Sequence, residues 1–291
     1  MTTVALGVLA GERTGPSEIS TAEAVPLKVL VDIAGAPMLQ RVLGVVSAAR
    51  VGSPLYICGP GRPQLPAAPW LVEAIERGEL HWLPPQDSPS RSARAVVEAA
   101  FGAASPADAV ALTTGDHPLL RAETLTAFIE DALATDADTV IGLASYDRVK
   151  AAYPHSRRTA LRFAGQAWCG CNLFMFRSRK ASAVLDFWQR VEGLRKQPHR
   201  ILGALGATFV ARYLAGRLPL EDALARLGDL TGARIATVPI LDPDAAVDVD
   251  NLADLATVRS RWAQRSAASG SGQGRADAGA SAPAGDGNSK V

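Results

Sequence analysis

A long polar loop separates the first apolar run of this chain from the second, and it holds residue types that bind phosphate. Gly11, Arg13 and Gly15 follow the run at residues 4–10, and a lone lysine, Lys28, stands at the far side of the loop. Glycine lets backbone N–H groups turn toward phosphate oxygens and approach them closely. Arg13 and Lys28 would add positive charge for a polyphosphate. The loop therefore predicts a local anion site.

Carboxylates follow two later apolar runs, in "TTGDHP" at residues 113–118 and in "DVDN" at residues 248–251. Asp116 and one or both of Asp248 and Asp250 are candidate Mg²⁺ ligands, because this ion takes oxygen ligands and lets substrate phosphates complete its shell. Such a metal would neutralise the charge that moves onto a pyrophosphate leaving group. Phosphoryl or nucleotidyl transfer is the chemistry that the loop and the carboxylates would share.

Each of these residues also has a plain structural interpretation. Lys28 can be a solvated surface lysine, and Asp116 can cap a helix that opens near Pro118. The alternation in "DVD" lets one carboxylate face a site while the other turns away. His117 is interpreted as a neighbour of Asp116 rather than as a ligand.

The elements that would position these residues alternate between strand and helix patterns. Strand-like runs lie at residues 3–10, 54–58, 80–84, 108–114 and 138–144, and helix-like runs lie at 37–49, 69–78, 88–103 and 121–135. Strands separated by helices of this length predict right-handed parallel βαβ units. The predicted fold is α/β, a doubly wound, mostly parallel sheet in a three-layer, Rossmann-like sandwich. Ligands bind such a sheet beyond the carboxyl ends of its strands, where the loop and the carboxylates fall.

The regular alternation of strand and helix patterns ends at about residue 145. The sequence predicts two strands at residues 159–165 and 167–177 and a helical stretch at about 180–229. A last strand at 233–240 and a closing helix at 252–264 follow. From Ser266 onward the chain is rich in Gly, Ser and Ala and cannot bury enough apolar surface to order itself. We therefore expect one domain over residues 1–265 and a disordered tail over residues 266–291.

Composition argues against several other classes of protein. The net charge is +1, from 30 basic and 29 acidic side chains, so no overall field favours nucleic acid or a membrane surface. The amino terminus lacks a basic segment and no run of 18 apolar residues occurs, so neither a signal peptide nor an integral membrane segment is expected. Cys58, Cys169 and Cys171 fit neither a disulfide framework nor a zinc site, and the last two, on one strand face, fit packing. These features predict a cytoplasmic protein with small-molecule partners.

Five segments together carry a resemblance to a known family. They are "LAGERTG", "PLKVLVDIAGAPML", "TTGDHPLL", "GCNLFMF" and "DVDNLADL". In this order they resemble the MobA-like nucleotidyltransferases, and the resemblance spans roughly residues 4–262. It implies the nucleotide-diphospho-sugar transferase type of fold, an NTP and a small phosphorylated or hydroxyl acceptor as substrates, an NMP-linked product, release of pyrophosphate and a requirement for Mg²⁺; of the two kinds of acceptor, a phosphorylated one is expected.

The resemblance also implies roles for individual residues. Lys28, Arg13 and Asp116 would be catalytic, with Asp116 the first metal ligand and an aspartate of "DVD", Asp248 or Asp250, the second. The nucleotide would be bound by Leu9, Ala10, Gly11, Gly15 and Lys28.

The acceptor is expected in the second half of the chain. Asn172 matches an asparagine often found in the family where the acceptor sits. Arg158 belongs to one of two basic clusters for which a solvated charged face is the default explanation, but which could also receive an anionic acceptor. The clusters are Arg157, Arg158 and Arg162, and Arg195, Lys196, His199 and Arg200.

One residue departs from the family pattern. Glu12 stands where glycine is common in the opening loop, so its carboxylate would approach the triphosphate and repel it. We expect Glu12 either to weaken NTP binding or to turn its charge elsewhere, toward a cation or the metal.

Two other functions are alternatives on a similar sheet. The first is a nucleotide-sugar-dependent glycosyltransferase, but such an enzyme would carry Asp-x-Asp at the end of a mid-chain strand, where this chain has only "GDHP". A catalytically weak nucleotide-binding or regulatory protein would keep the sheet, and Glu12 favours it. A dinucleotide-binding dehydrogenase is disfavoured because "CGPGRP" lacks a third glycine.

The apolar stretch at residues 201–220 fits core, the face of a homodimer or a wall of the acceptor site.

Overall fold

The structure, a computed structural model, describes residues 2–12, 15–49, 54–178, 180–193 and 205–276. The strands are β1 (Val4–Leu9), β2 (Asp32–Ile33), β3 (Ala36–Pro37), β4 (Leu55–Cys58), β5 (His81–Leu83), β6 (Ala109–Thr114), β7 (Thr139–Ser145), β8 (Leu161–Phe163), β9 (Gln166–Phe176) and β10 (Ile235–Ile240). The helices are α1 (Glu18–Ala22), α2 (Met38–Ala48), α3 (Pro69–Glu76), α4 (Pro89–Gly102), α5 (Ala122–Ala134), α6 (Tyr146–Ala152), α7 (Ala181–Gly193), α8 (Ala207–Leu214), α9 (Leu220–Thr231) and α10 (Leu252–Ala276).

One large sheet organises the molecule. Its strand order is β10, β7, β9, β6, β1, β4 and β5, and β8 pairs with β9. β1, β4, β5 and β6 run parallel to one another, as do β7 and β10. β9 runs antiparallel to both of its main-sheet neighbours, β6 and β7. The predicted α/β, doubly wound, mostly parallel sheet is confirmed, with β8 and β9 as the antiparallel insertion.

Helices cover both faces of the sheet, and the alternation along β1 shows why. Leu6 points into a core that it shares with Leu39 of α2 and Phe128 of α5. The next residue back, Ala5, points into the core of the opposite face, which contains Val96 of α4. α7 packs against α4 on that second face. Successive side chains of a strand point to opposite faces, so a continuous apolar run is needed where both faces are buried.

Gly7 allows side chains of α4 and β6 to pack directly over the backbone of β1. A Cβ at this position would come within 2.3 Å of Leu112 Cδ2 and 2.7 Å of Val96 Cγ1. Any side chain here would therefore force the side chains of Leu112 and Val96 to shift. The first residue of α4, Pro89, lines the cavity described below.

The later part of the chain bears on the predicted domain boundary and on the predicted homodimer. α10 continues to Ala276, past the boundary predicted at residue 265, and residues 277–291 lie outside the described part of the chain. The domain boundary therefore stays a prediction. Within the apolar stretch at 201–220 the described part forms α8 and the start of α9, and Leu214 is exposed, so a homodimer also stays a prediction.

Two simpler expectations concern the cysteines and membranes. All three cysteines are buried and free, as packing residues would be. Of the helices that the structure describes, none is long and apolar enough to cross a membrane.

Candidate active site

The loop after β1 begins at the carboxyl end of the central strand. Ala10 is buried and donates its N–H to the carbonyl of Cys58, 2.8 Å away, while the carbonyl of Leu9 accepts from the N–H of Gly115 at 2.8 Å. These bonds extend the pairing of β1 with β4 and β6 by one residue. They place the first residues of the loop beside the end of β6, where the carboxylate of "GDHP" was predicted.

Two glycines explain how the loop fits among its neighbours. Gly15 has φ +97, a left-handed conformation that favours glycine. Gly59, after β4, has φ +94, and a Cβ there would lie 2.7 Å from the backbone nitrogen of Gly11. "CGPGRP" therefore contributes a glycine that backs the β1 loop rather than a dinucleotide site. Arg13, the predicted cation of this loop, lies outside the described residues.

Lys28 reaches from the far side of the loop to the carboxylates. It opens a 3₁₀ turn whose next two side chains are buried, so the start of its own side chain is held firmly. Lys28 Nζ lies 2.8 Å from Asp116 Oδ2 and 3.2 Å from Asp250 Oδ1. Burial disfavours the charged ammonium, but the two carboxylates outweigh it and hold the pKa of Lys28 above its usual value. The interpretation of Lys28 as a solvated surface lysine is therefore wrong, since only 17% of its side chain is exposed.

Asp116 lies just past the end of β6, after Gly115, and is held at several points. The hydroxyl of Thr114 donates to Asp116 Oδ1 at 2.6 Å, and the Asp116 carbonyl accepts from the N–H of Val249 at 3.0 Å. Burial works against its charge, but Lys28 and the Thr114 hydroxyl leave the pKa of Asp116 below the ordinary value. The alternative of a helix cap does not hold, because α5 begins at Ala122 with Arg121 in the capping position.

The two aspartates of "DVD" differ in what they face. Asp250 points to Lys28, and 67% of its side chain is exposed. Asp248 instead forms a close ion pair with Arg158, whose guanidinium also donates to the Asp248 carbonyl at 2.9 Å and to Asp254 Oδ1 at 3.0 Å. Burial, together with the charges of Asp116 and Asp250, raises the pKa of Asp248 despite Arg158. The carboxylates of Asp248 and Asp254 thus already engage the guanidinium of Arg158. Its role in binding the acceptor stays a prediction.

Glu12 is tied to the same segment as the lysine. Its Oε2 accepts a hydrogen bond from the backbone N–H of Lys28 at 2.9 Å. The second oxygen, Oε1, is buried with no hydrogen-bond partner among the described residues. This contact is neither the cation pair nor the metal contact expected for Glu12: its carboxylate instead binds the backbone of Lys28 and so ties the β1 loop to the segment that carries this lysine.

Asn172 approaches the site from β9. Its side-chain Nδ2 lies 2.8 Å from Nε2 of the buried His117, whose Nδ1 lies 3.1 Å from the carbonyl oxygen of Ala245. His117 is thus more than a neighbour of Asp116, because it connects β9 to the segment that precedes "DVDN". No pattern in the sequence signals this contact, since the three residues lie far apart in the chain.

These residues surround one cavity of about 570 Å³. Its polar part is lined by Gly11, Glu12, Lys28, Thr114, Asp116, Asn172, Asp248 and Asp250, and its apolar part by Leu9, Val29, Pro89, Leu112, Phe174 and Trp188. The rings of Phe174 and Trp188 are 5.5 Å apart. Glu192 also lines the cavity and accepts a close hydrogen bond from Ser90. The wall formed by α7 was missed by sequence analysis, because an amphipathic helix does not reveal which of its aromatic residues borders a cavity.

The acidic side chains fit a metal that substrate helps to hold. Among the described residues, no group of three or more Asp, Glu, His or Cys side chains is arranged to hold an ion. Asp116 and Asp250 nevertheless face the same ammonium at 2.8 and 3.2 Å, so a cation between them is already favoured. Mg²⁺ commonly uses one or two carboxylates, waters and substrate phosphates rather than a complete protein cage. The pair therefore fits Mg²⁺ delivered with a nucleotide.

The sheet, the β1 loop and the carboxylates at the strand ends define an α/β protein of the nucleotide-diphospho-sugar transferase fold. The chain belongs to the MobA-like NTP transferase family, because the model of the MobA-like NTP transferase domain matches residues 23–228. The suspected family is thereby confirmed. A comparison with curated proteins finds no match.

Solved structures support the same fold. A hypothetical transferase from Thermus thermophilus is 26% identical, with a TM-score of 0.69, and the match covers 88% of this chain and all of that one. CMP:2-keto-3-deoxy-manno-octonic acid synthetase complexed with CTP is 17% identical, with a TM-score of 0.53 over 91% of this chain and 100% of that one. A 4-diphosphocytidyl-2C-methyl-D-erythritol synthase from Anaerococcus prevotii is 10% identical, with a TM-score of 0.55 over 89% and 98%. The last two show likeness of fold alone.

Proposed function

We propose that this protein is a Mg²⁺-dependent nucleotidyltransferase that moves an NMP group from an NTP to a small acceptor and releases pyrophosphate. The observation that carries the proposal is the convergence of Lys28, Asp116 and Asp250 beside the β1 loop in a single cavity. Family membership and the fold of the solved neighbours support the same class of reaction.

The chain's own residues suit the steps of such a transfer. The backbone after Leu9 would hold the triphosphate, and Lys28 would bring a positive charge to it. Asp116 and Asp250 would hold Mg²⁺, which when bound would neutralise charge developing on the leaving pyrophosphate. An acceptor oxygen bonds to the α-phosphorus while the bond from that phosphorus to the bridging oxygen breaks, and pyrophosphate leaves with the electron pair. The structure supports Asp250 over Asp248 as the second ligand, because Arg158 already pairs with Asp248.

The acceptor is proposed to lie near Asn172 and the apolar wall. A phosphorylated acceptor is the class that the family resemblance favours. Among the described residues that line the cavity, Lys28 is the one cation, so an acceptor phosphate would share its charge with the NTP. Each phosphorylated acceptor should therefore be tested beside its dephosphorylated form.

The test measures pyrophosphate release from each of the four NTPs with Mg²⁺, against this paired panel of acceptors. We expect release that depends on NTP, acceptor and metal, and that is lost in Asp116→Asn. NTP binding in calorimetry without release would favour the regulatory protein instead. Consumption of a nucleotide sugar without pyrophosphate would favour the glycosyltransferase, and no NTP binding would overturn the proposal.

We also propose a cytoplasmic location. The three cysteines are free and buried, which suits a reducing compartment. Fractionation of cells that express the full chain would test this.

A further inference from the structure

We propose that the buried His117 is a positioning residue that turns the amide of Asn172 so that its carbonyl oxygen, not its NH₂ group, faces the substrate cavity. Asn172 would then accept a hydrogen bond from a hydroxyl group of the acceptor. The substrate-contact part of this inference rests on the proposed function, whereas the orientation of the amide does not.

The backbone at Asn172 is the first support. β9 bulges here, since Gly170 and Phe174 pair with Leu143 and Ile141 while the residues between them face a single residue of β7. Asn172 has φ +49, in the left-handed region that asparagine tolerates better than most residues. Bulges re-aim side chains and are frequent beside active sites. The bulge here directs the side chain toward the cavity, which it lines.

The hydrogen bonds of His117 are the second support, because they favour one orientation of the amide. The carbonyl of Ala245 can only accept, so the imidazole Nδ1 must carry the proton that it donates over 3.1 Å. In a neutral ring with its proton on Nδ1, Nε2 is left as an acceptor, and an acceptor at 2.8 Å takes the NH₂ end of the Asn172 amide rather than its carbonyl oxygen. A neutral ring with its proton on Nδ1 satisfies both contacts. His117 is 1% exposed, so water does not compete for either nitrogen.

The other end of the amide is left for substrate. Among the described residues the Asn172 side chain makes one hydrogen bond, from Nδ2 to His117, so Oδ1 has no partner there. A carbonyl oxygen accepts from hydroxyl groups but repels ionised phosphate oxygens. The contact at Asn172 therefore selects a hydroxyl-bearing part of the acceptor, and any phosphate of that acceptor must lie elsewhere in the cavity.

The tautomer can be tested on the full-length protein without substrate. Histidine ring nitrogens are labelled with ¹⁵N, and the His117 signals are assigned by their loss in His117→Phe. We expect Nδ1 to be protonated and Nε2 unprotonated in the wild type, and the Nε2 signal to move in Asn172→Ala. A proton on Nε2 in the wild type would overturn the proposal.

The positioning role is tested with a double-mutant cycle on an acceptor found in the panel. His117→Phe and Asn172→Ala should each raise the KM for the acceptor about tenfold, as for one lost hydrogen bond, and change kcat less. If His117 acts through Asn172, the double variant should be no worse than Asn172→Ala, whereas additive losses would contradict this. His155→Phe, an exposed histidine, is the matched control.

The hydroxyl preference has its own readout. Wild type should favour the acceptor over its deoxy analogue, and Asn172→Ala should lose that preference, while an unchanged preference would refute the substrate contact. If no acceptor turns over, the proposed function fails, and the ring ¹⁵N signals still decide the orientation.

Discussion

Lys28 Nζ stands between two carboxylates, 2.8 Å from Asp116 Oδ2 and 3.2 Å from Asp250 Oδ1. One ammonium thus neutralises part of the charge of two groups that we propose as metal ligands. The same side chain is proposed to serve the phosphates of the NTP. A nucleotide that draws Lys28 toward its phosphates would therefore free the carboxylates for the cation that it brings.

Lys28→Met should change metal and nucleotide binding in opposite directions. Without its positive charge, Asp116 and Asp250 should bind Mn²⁺, a spectroscopic substitute for Mg²⁺, several-fold more tightly in the absence of nucleotide. NTP binding and transfer should both weaken, because phosphate charge is present in the ground and transition states. Electron paramagnetic resonance of free Mn²⁺ and calorimetry with NTP measure the two effects. Lys150→Met, at an exposed lysine, is the control, and equal Mn²⁺ affinity in both proteins would contradict the competition.

Asp116→Asn should keep the fold and remove turnover. The backbone link from the Asp116 carbonyl to the N–H of Val249 does not depend on the side chain, and the asparagine oxygen can still accept from Thr114. The lost charge should lower Mg²⁺-dependent pyrophosphate release by orders of magnitude. Circular dichroism checks the fold, and Asp131→Asn on the exposed face of α5 is the control. Full turnover in a folded Asp116→Asn would remove this residue from the metal site.

The sheet and the location of the site were predictable because both depend on local patterns. Continuous apolar runs marked strands buried on two faces, and polar residues directly after them marked the carboxyl ends of the strands. Lys28, Asp116 and Asp250 could therefore be expected near one another, although the chain separates the first two by 88 residues.

The contacts that select among these residues were not predictable. Whether Asp248 or Asp250 faces the lysine depends on Arg158, which reaches back from the segment after α6. The link from Asn172 to His117 depends on a bulge in β9 that an uninterrupted apolar run conceals. Both are long-range side-chain contacts, and a single sequence carries no periodic signal for them.

Asp244 should make the stability of the segment that precedes "DVDN" sensitive to acid. It is fully buried, and its carboxylate accepts from Tyr153 and from two arginines of α10, Arg261 and Arg265. Burial would raise its pKa, but these partners hold it below the ordinary value of 3.8. Because the folded pKa is the lower one, the stabilisation is complete above the unfolded value and is lost as pH falls through the folded value.

The corresponding variant is Asp244→Asn. It should lower the Tm at neutral pH, because the arginine charges lose a buried counter-charge. The Tm difference from wild type should shrink as the pH falls below about 4. Thermal melts between pH 3 and 7 measure this, with the exposed Asp131→Asn as control. A difference that is constant over this range would show that Asp244 acts through packing rather than charge.

Two substitutions at Glu12 separate the effect of its negative charge from the effect of its hydrogen bond to the backbone of Lys28. Its charge would repel a triphosphate by roughly 0.7 kcal/mol at 6 Å in water and about 3 kcal/mol at an effective dielectric constant of 20. Its Oε2 also accepts from the N–H of Lys28 at 2.9 Å, which ties the loop to the lysine. Glu12→Gln removes the charge and keeps an oxygen for this bond, so it should tighten NTP binding a few-fold. Glu12→Gly removes both and adds backbone freedom, so it should bind less tightly than Glu12→Gln. Calorimetry with Mg²⁺ present measures both, and Glu18→Gln on the exposed side of α1 is the control. Weaker binding by Glu12→Gln than by wild type would show that the carboxylate charge itself serves the site, as a metal ligand or as a partner of a cation.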